Sequence, residues 1–147
     1  MTHTPSVDIG ALHRRYNDEV MNEGKVALID ELVSIDHTNH SPPGPDLHGT
    51  EALKQYVAAV RAAFPDLHFT VEEQIVVGDR VAVRWTARGT HRGTYLGVPA
   101  TGRVVAVSGL SIHHFIGGRI DESWDQIDML GLLQQLGAIP GPGRASG

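Results

Sequence analysis

The hydrophobic positions of this chain change period once, close to residue 68. Ahead of it, Ile9, Leu12, Tyr16 and Val20 recur at helical spacing with polar residues between them, which predicts an amphipathic helix over 6–22 that closes near Asn22 to Gly24. A shorter helix is expected over 25–33. Leu53, Tyr56, Val57, Val60 and Phe64 form the apolar stripe of a third helix, with Thr50 as its cap and Pro65 as its end. Between the second and third helices, SIDHTNHSPPGPDLHG carries three prolines, two glycines and three histidines. It breaks every period, as a loop or lid does.

From His68 onward the period is two. HFTVEEQIVV and RVAVRWTARG alternate on either side of Gly78-Asp79 and predict a hairpin, with Val81, Val83, Trp85 and Ala87 on one face. RVVAVSGLSIHHFI and RIDESWDQI predict a second, longer hairpin. Its turn is Gly117-Gly118, a pair that accepts the positive φ of a primed two-residue turn. Asp128 then caps a closing helix whose Met129, Leu132, Leu133 and Leu136 face the core, and Gly137 stops it. Helices followed by a meander of long strands predict an α+β domain over 1–138, an antiparallel sheet with helices packed over one face. Such a sheet, twisted strongly, cups a cavity. Residues 139–147 are rich in Gly, Pro and Ser, without periodic apolar positions, and read as a loose tail.

Composition narrows the function. At 147 residues the chain is long enough for one core that buries roughly 70% of the unfolded surface. A formal net charge of -5 with 41% hydrophobic and 20% charged residues carries no basic footprint for nucleic acid, so the expected partner is a small molecule. The complete lack of cysteine excludes thiolate catalysis, disulfides and cysteine-bound metals. The opening MTHTPSVDIG has no basic stretch ahead of an apolar run, and no stretch of about eighteen apolar residues occurs; a soluble, cytoplasmic protein that avoids membranes is expected. Val104, Ala106, Leu110 and Ile112 alternate along their strand with another apolar set, so both faces of the sheet want cover, and the helices of one chain cover only one. A homodimer or homotetramer is therefore expected.

The densest candidate chemistry is RIDESWDQIDMLG, residues 119–131, in which Glu122, Asp125 and Asp128 surround the indole of Trp124. A carboxylate beside an apolar wall such as Trp124 or Phe115 gains a raised pKa and becomes a usable acid or base. Strand geometry complicates the choice. With a plain two-residue turn at Gly117-Gly118, Ser111 sits opposite Trp124, and Trp124 and Asp125 face opposite ways. A β-bulge near Ser123, or a strand ending at Trp124, re-aims one of them; otherwise Glu122 is the rival acid. His37, His40 and His48 lie in a proline-rich interval without metal-ligand spacing, so no metal is expected. Neither GxSxG nor GxGxxG occurs, which argues against serine hydrolysis and a nucleotide cofactor. Trp85, Tyr56, Phe64 and Phe115 suit either the core or a substrate shelf, Trp85 being the strongest candidate for lining.

The ordered stretches HTNH, AAFPDL, GDRVAVRW, GTHRGTYLGVPATG and GGRIDESWDQIDMLGLLQQLG resemble the SnoaL-like polyketide cyclases of the nuclear-transport-factor-2-like superfamily, over about residues 8 to 138. The resemblance implies a cone-shaped barrel with a pocket between helices and curved sheet, and oligomers formed through sheet faces. It also implies intramolecular aldol ring closure on a polyketide-like metabolite by acid/base catalysis, with no metal or organic cofactor. Its acid/base falls on Asp125, its loop Asn on Asn39 and a pocket-facing His on His91. The His that supports the acid corresponds to Ser111, a departure for which His113 or His40 can substitute as proton donor. Catalysis is thus expected from Asp125, His113 and His40, and substrate contact from Asn39, His91, Trp85, Ser111, Trp124, Glu122, Phe115 and Tyr56. Hydrolysis or epoxide opening by paired acids, and non-catalytic binding, are the alternatives that the Ser111 departure keeps open.

Overall fold

The computed structural model describes residues 7–141. Helix α1 (Ile9–Arg15) starts on Asp8, whose side chain accepts from the Ala11 amide at 3.0 Å, and it runs on as a π-helical segment over Tyr16–Asn22. A 3-10 turn (Val26–Leu28) leads into α2 (Ile29–Leu32). The expected loop at SIDHTNH is instead strand β1 (Val33–His40), paired with the short β2 (Leu47–His48). This strand escapes an apolar-alternation search because its inner face carries His37 and Asn39, both buried. Helix α3 (Gly49–Ala63) follows the expected stripe, but its N-cap is His48 with no side-chain bond, so Thr50 lies inside the first turn and does not cap. Full burial of Leu53 and Val57 stabilises its docking by roughly 1.5–3 kcal/mol each.

Strands β3 (His68–Val77), β4 (Arg80–Thr90), β5 (Val104–Ile116) and β6 (Arg119–Ile127) make the two predicted hairpins. Helix α4 (Met129–Gln135) closes the chain on an Asp128 cap that accepts from the Gly131 amide at 3.0 Å. The sheet order is β2-β1-β6-β5-β4-β3. It is curved and open, and antiparallel except that β1 runs parallel to β6, which corrects the all-antiparallel expectation. The helices cover its concave face, where Val81, Val83, Trp85 and Ala87 of β4 are buried as their alternation predicts. No helix among the described residues is long and apolar enough to cross a membrane. Most of the predicted tail, 142–147, lies outside the described residues, as does the start of the predicted first helix.

Two glycines shape the part of the sheet that matters most. Gly117 and Gly118 both take positive φ, 59° and 79°, making the primed turn of the β5–β6 hairpin. Gly109 of β5 faces Trp85 across the β4–β5 ladder, and a Cβ there would stand 2.2 Å from the indole ring. Only glycine lets Trp85 lie flat across β5 and reach Ser111.

Candidate active site

A cavity of about 1000 Å³, counting the solvent at its opening, lies between the helices and the concave sheet face. Its wall is largely apolar, with six aromatic rings, Tyr16, Tyr56, Phe64, Phe69, Trp85 and Tyr95, set among aliphatic side chains. Four polar side chains from neighbouring strands, Asn39, Ser111, His113 and Asp125, line it together at one end. Asp125 is the only carboxylate in the lining among the described residues, and no lysine or arginine joins it.

Asp125 reaches the cavity through one extra residue. Ile116 pairs with Arg119 and Phe115 with Ile120, as a two-residue turn requires, but His114 then pairs with Glu122. Asp121 is the added residue of a β-bulge. Beyond it the register is shifted by one, so Ser111 faces Asp125 and Trp124 is turned to the opposite face of the sheet. The bulge lies two residues earlier than the sequence suggested, and it settles the orientation: Asp125 points in and Glu122 points out.

The carboxylate is set into a short chain of neutral donors. Trp85 Nε1 donates to Ser111 Oγ at 2.9 Å, and Ser111 Oγ donates to Asp125 Oδ1 at 2.5 Å. Burial raises the Asp125 pKa above the ordinary carboxylate value; hydrogen bonding by Ser111 and Asn39 and the nearby His37 oppose the rise. The Ser111 bond is made to Oδ1 and leaves Oδ2 clear of that hydroxyl. Asn39 arrives from β1, level with Ser123 of β6, and its buried Oδ1 has no partner among the described residues.

Three histidines surround the same end. Ser123 Oγ lies 2.7 Å from His113 Nδ1 and 3.3 Å from His37 Nε2, and the His113 ring packs 4.9 Å from that of His13. Burial drives all three toward the neutral form: His13 to about 3, His37 to about 4 and His113 to about 4. His13 and its neighbour Asn17 line the cavity and were missed by the sequence reading. Their signal was two polar residues at i, i+4 among Ile9, Tyr16 and Val20, on the face that an amphipathic helix buries. The π-helical turn that carries Tyr16, Asn17 and Met21 to the cavity has no such signature. It is held against β3 by Asn22, which accepts from the Phe69 amide at 2.7 Å and donates to the Phe69 carbonyl at 3.0 Å.

Of the predicted site residues, Asn39, Tyr56, Trp85, Ser111, His113 and Asp125 meet at this cavity. Five others do not. His40, Glu122 and Trp124 form a cluster on the outer sheet face, because His40 is level with Trp124 in the β1–β6 ladder. There His40 stacks on Trp124 at 5.6 Å and bridges Glu122 at 2.7 Å and Asp46 at 3.0 Å, and these two carboxylates raise its pKa. His40 is therefore in a strand, facing away from Asp125. His91 is fully buried behind Phe64, with ring centroids 5.4 Å apart, and not on the cavity rim. Its Nδ1 accepts from the Thr101 amide at 3.1 Å, and its backbone donates to the Arg103 carbonyl at 2.9 Å, which ties down the loop that carries Tyr95. Phe115 is buried in the core beside Ile120. Among the described residues, no three His, Asp or Glu side chains are placed to hold a metal ion.

The chain matches the profile of the SnoaL-like polyketide cyclases over residues 11–136. It belongs to that family. Among its SnoaL-like relatives is the aklanonic acid methyl ester cyclase of Streptomyces peucetius, 30% identical over 125 residues that cover 81% of this chain and 84% of the relative. The enzyme of the same name from Streptomyces galilaeus is 29% identical over 140 residues, covering 90% of this chain and 92% of that one. The crystal structure of a SnoaL-like protein from Jannaschia has the same fold, with a TM-score of 0.84 at 24% identity, over 95% of this chain and 99% of its own.

Proposed function

We propose that this SnoaL-like cyclase closes a ring in an uncharged, polyketide-like substrate by an intramolecular aldol-type reaction that needs no metal or organic cofactor. The observation that carries the reading is a buried carboxylate, held by neutral donors, on the wall of a cavity that no other carboxylate, lysine or arginine lines among the described residues. Asp125 Oδ2 takes a proton from a carbon flanked by carbonyl groups. The enolate carbon attacks a ketone carbon of the same molecule, forming the C–C bond, and the ketone oxygen becomes an alkoxide. Asp125, now protonated, returns the proton to that alkoxide, so base and acid are one group and nothing is consumed. Asn39 lies beside the reacting carboxylate, where its amide can orient the substrate's oxygen. The six aromatic rings suit a flat, fused-ring body.

Charge selects the substrate. An ionised carboxylate in the cavity would lie near Asp125 with no counter-ion, at the cost of a buried, unpaired charge. The substrate's acid group is therefore masked, as in an ester. The paired-acid hydrolase reading loses its second acid, since Glu122 is on the outer face. The test is to incubate the protein with an aromatic polyketide ester carrying a free side-chain ketone, and with the corresponding acid, each with and without a chelator. Ring closure of the ester, at least about 10-fold slower with the acid and unaffected by chelation, is expected. Binding without turnover would leave a carrier, and chelator-sensitive turnover restored by a divalent ion would refute cofactor independence.

A further inference from the structure

The imidazole of His113 lines the cavity one step along the sheet from Asp125, and two buried neighbours control which of its nitrogens holds the proton. Ser123 is 1% exposed, and its hydroxyl sits between His113 Nδ1 and His37 Nε2. A hydroxyl has one proton, so it donates to one ring and accepts from the other. The 2.7 Å contact to His113 has the length of an O–H donor bond, and the 3.3 Å contact to His37 is that of a long N–H donor bond. Orphan atoms lead to the same assignment. His37 Nδ1 is buried with no partner among the described residues. Were Ser123 to donate to His37 Nε2, the His37 proton would have to sit on that orphaned Nδ1, leaving a buried N–H unbonded. Donation to His113 leaves there only an unused lone pair.

We propose that Ser123, with His37 behind it, locks His113 in the tautomer protonated at Nε2, making His113 a hydrogen-bond donor to the substrate's developing enolate oxygen and not a second base. The proposal rests on the aldol reading of Asp125 and divides the labour within it. His113 and Asp125 are diagonal neighbours on β5 and β6, about 7 Å apart at Cβ. That spacing lets an acidic carbon face the carboxylate while its adjoining carbonyl oxygen meets Nε2–H. A neutral imidazole suits this task, since it stabilises the enolate without quenching it by proton transfer. His113 touches the substrate; Ser123 and His37 are positioning residues. The arrangement also accounts for the Ser111 departure. With a hydroxyl supporting the acid, the site's imidazole donor stands two residues along the same strand.

The experiment is heteronuclear NMR of the full-length protein labelled with ¹⁵N-histidine, at neutral pH and without substrate, with the His113 signals assigned by their loss in His113→Gln. Nδ1 is expected to resonate as the bare, acceptor-type nitrogen and Nε2 as the protonated one. An Nδ1–H tautomer or an imidazolium would overturn the proposal. In Ser123→Ala, His113 is expected to become a mixture of tautomers, and kcat on the cyclising ester to fall about 10-fold with KM little changed. An unaltered His113 spectrum, or unaltered kcat, in that variant would also overturn it. Should Ser123→Ala fail to fold, the wild-type spectrum alone decides. The NMR result does not depend on turnover, so failure of the aldol reading and failure of the tautomer assignment are told apart.

Discussion

Ser111 faces Asp125 directly across strands β5 and β6 and gives its hydroxyl proton to Oδ1 at 2.5 Å. Ser111 is itself oriented by Trp85, whose indole N–H occupies the hydroxyl's lone pair from the other side. The acid is therefore supported by a neutral relay that cannot take its proton. Ser111→Ala removes a bond that favours the carboxylate and strands the Trp85 N–H. The Asp125 pKa then rises further, so the acid limb of the kcat/KM profile moves to higher pH, and stability falls by about 1–3 kcal/mol. The pH profile of the variant checks this; an unmoved acid limb would contradict the relay.

Gly109 is the structural condition for that relay. Gly109→Ala sets a methyl group against the Trp85 ring, which must swing away and break its bond to Ser111. The same upward shift of the acid limb is expected, accompanied by a destabilisation of about 1–3 kcal/mol from overpacking. Chemical denaturation together with the pH profile tests it. A variant as stable as wild type with an unchanged profile would show that Trp85 does not need the gap.

How much of this could be read in the chain depends on whether each feature leaves a pattern. The α3 stripe, both hairpins, the Gly117-Gly118 turn and the Asp128 cap all express local periodicity or turn chemistry, and all are present. Strand β1 was hidden because its inward residues are polar: His37 and Asn39 serve the cavity's polar end, so the alternation that marks a strand is absent. The bulge at Asp121 was hidden for a different reason. One added residue has no compositional mark, yet it inverts which side chains face inward, turning Asp125 toward the cavity and Glu122 and Trp124 to the outer face. The π-helical Tyr16–Asn22 keeps the apolar spacing of an α-helix closely enough to be read as one.

The buried histidines make stability depend on pH. Folding lowers the pKa of His13, His37 and His113 from 6.5 to between about 3 and about 4. Between these values the unfolded chain binds more protons, so stability is full above pH 6.5 and is lost as pH falls. The slope is at most roughly 1.4 kcal/mol per pH unit for each histidine. Asp125 and His40, whose pKa values are raised, act in the opposite sense, as two groups against three. Urea melts are expected to show a clear loss of stability from pH 7 to pH 5. A flat dependence would mean that the three rings are charged or exposed in solution.

The outer sheet face leaves Leu110 60%, Ile112 44% and Val104 72% exposed. We expect a second copy to cover this face, giving a dimer or tetramer in solution. Leu110→Lys with Ile112→Lys should weaken that assembly and leave the cavity intact. Light scattering at micromolar concentration decides, and the mass of a single chain for the unmodified protein would contradict the expectation.

The most direct test of the account compares two acids only three residues apart. Asp125→Asn keeps the side chain's shape and removes the base, so kcat on a cyclising ester should fall by about 10²-fold or more, with the melting temperature little changed. Glu122→Gln alters only the outer cluster with His40 and should leave turnover near normal, with stability changed by no more than about 1 kcal/mol. If Glu122→Gln abolishes ring closure while Asp125→Asn retains it, the register set by the Asp121 bulge, and the assignment of the acid with it, is wrong.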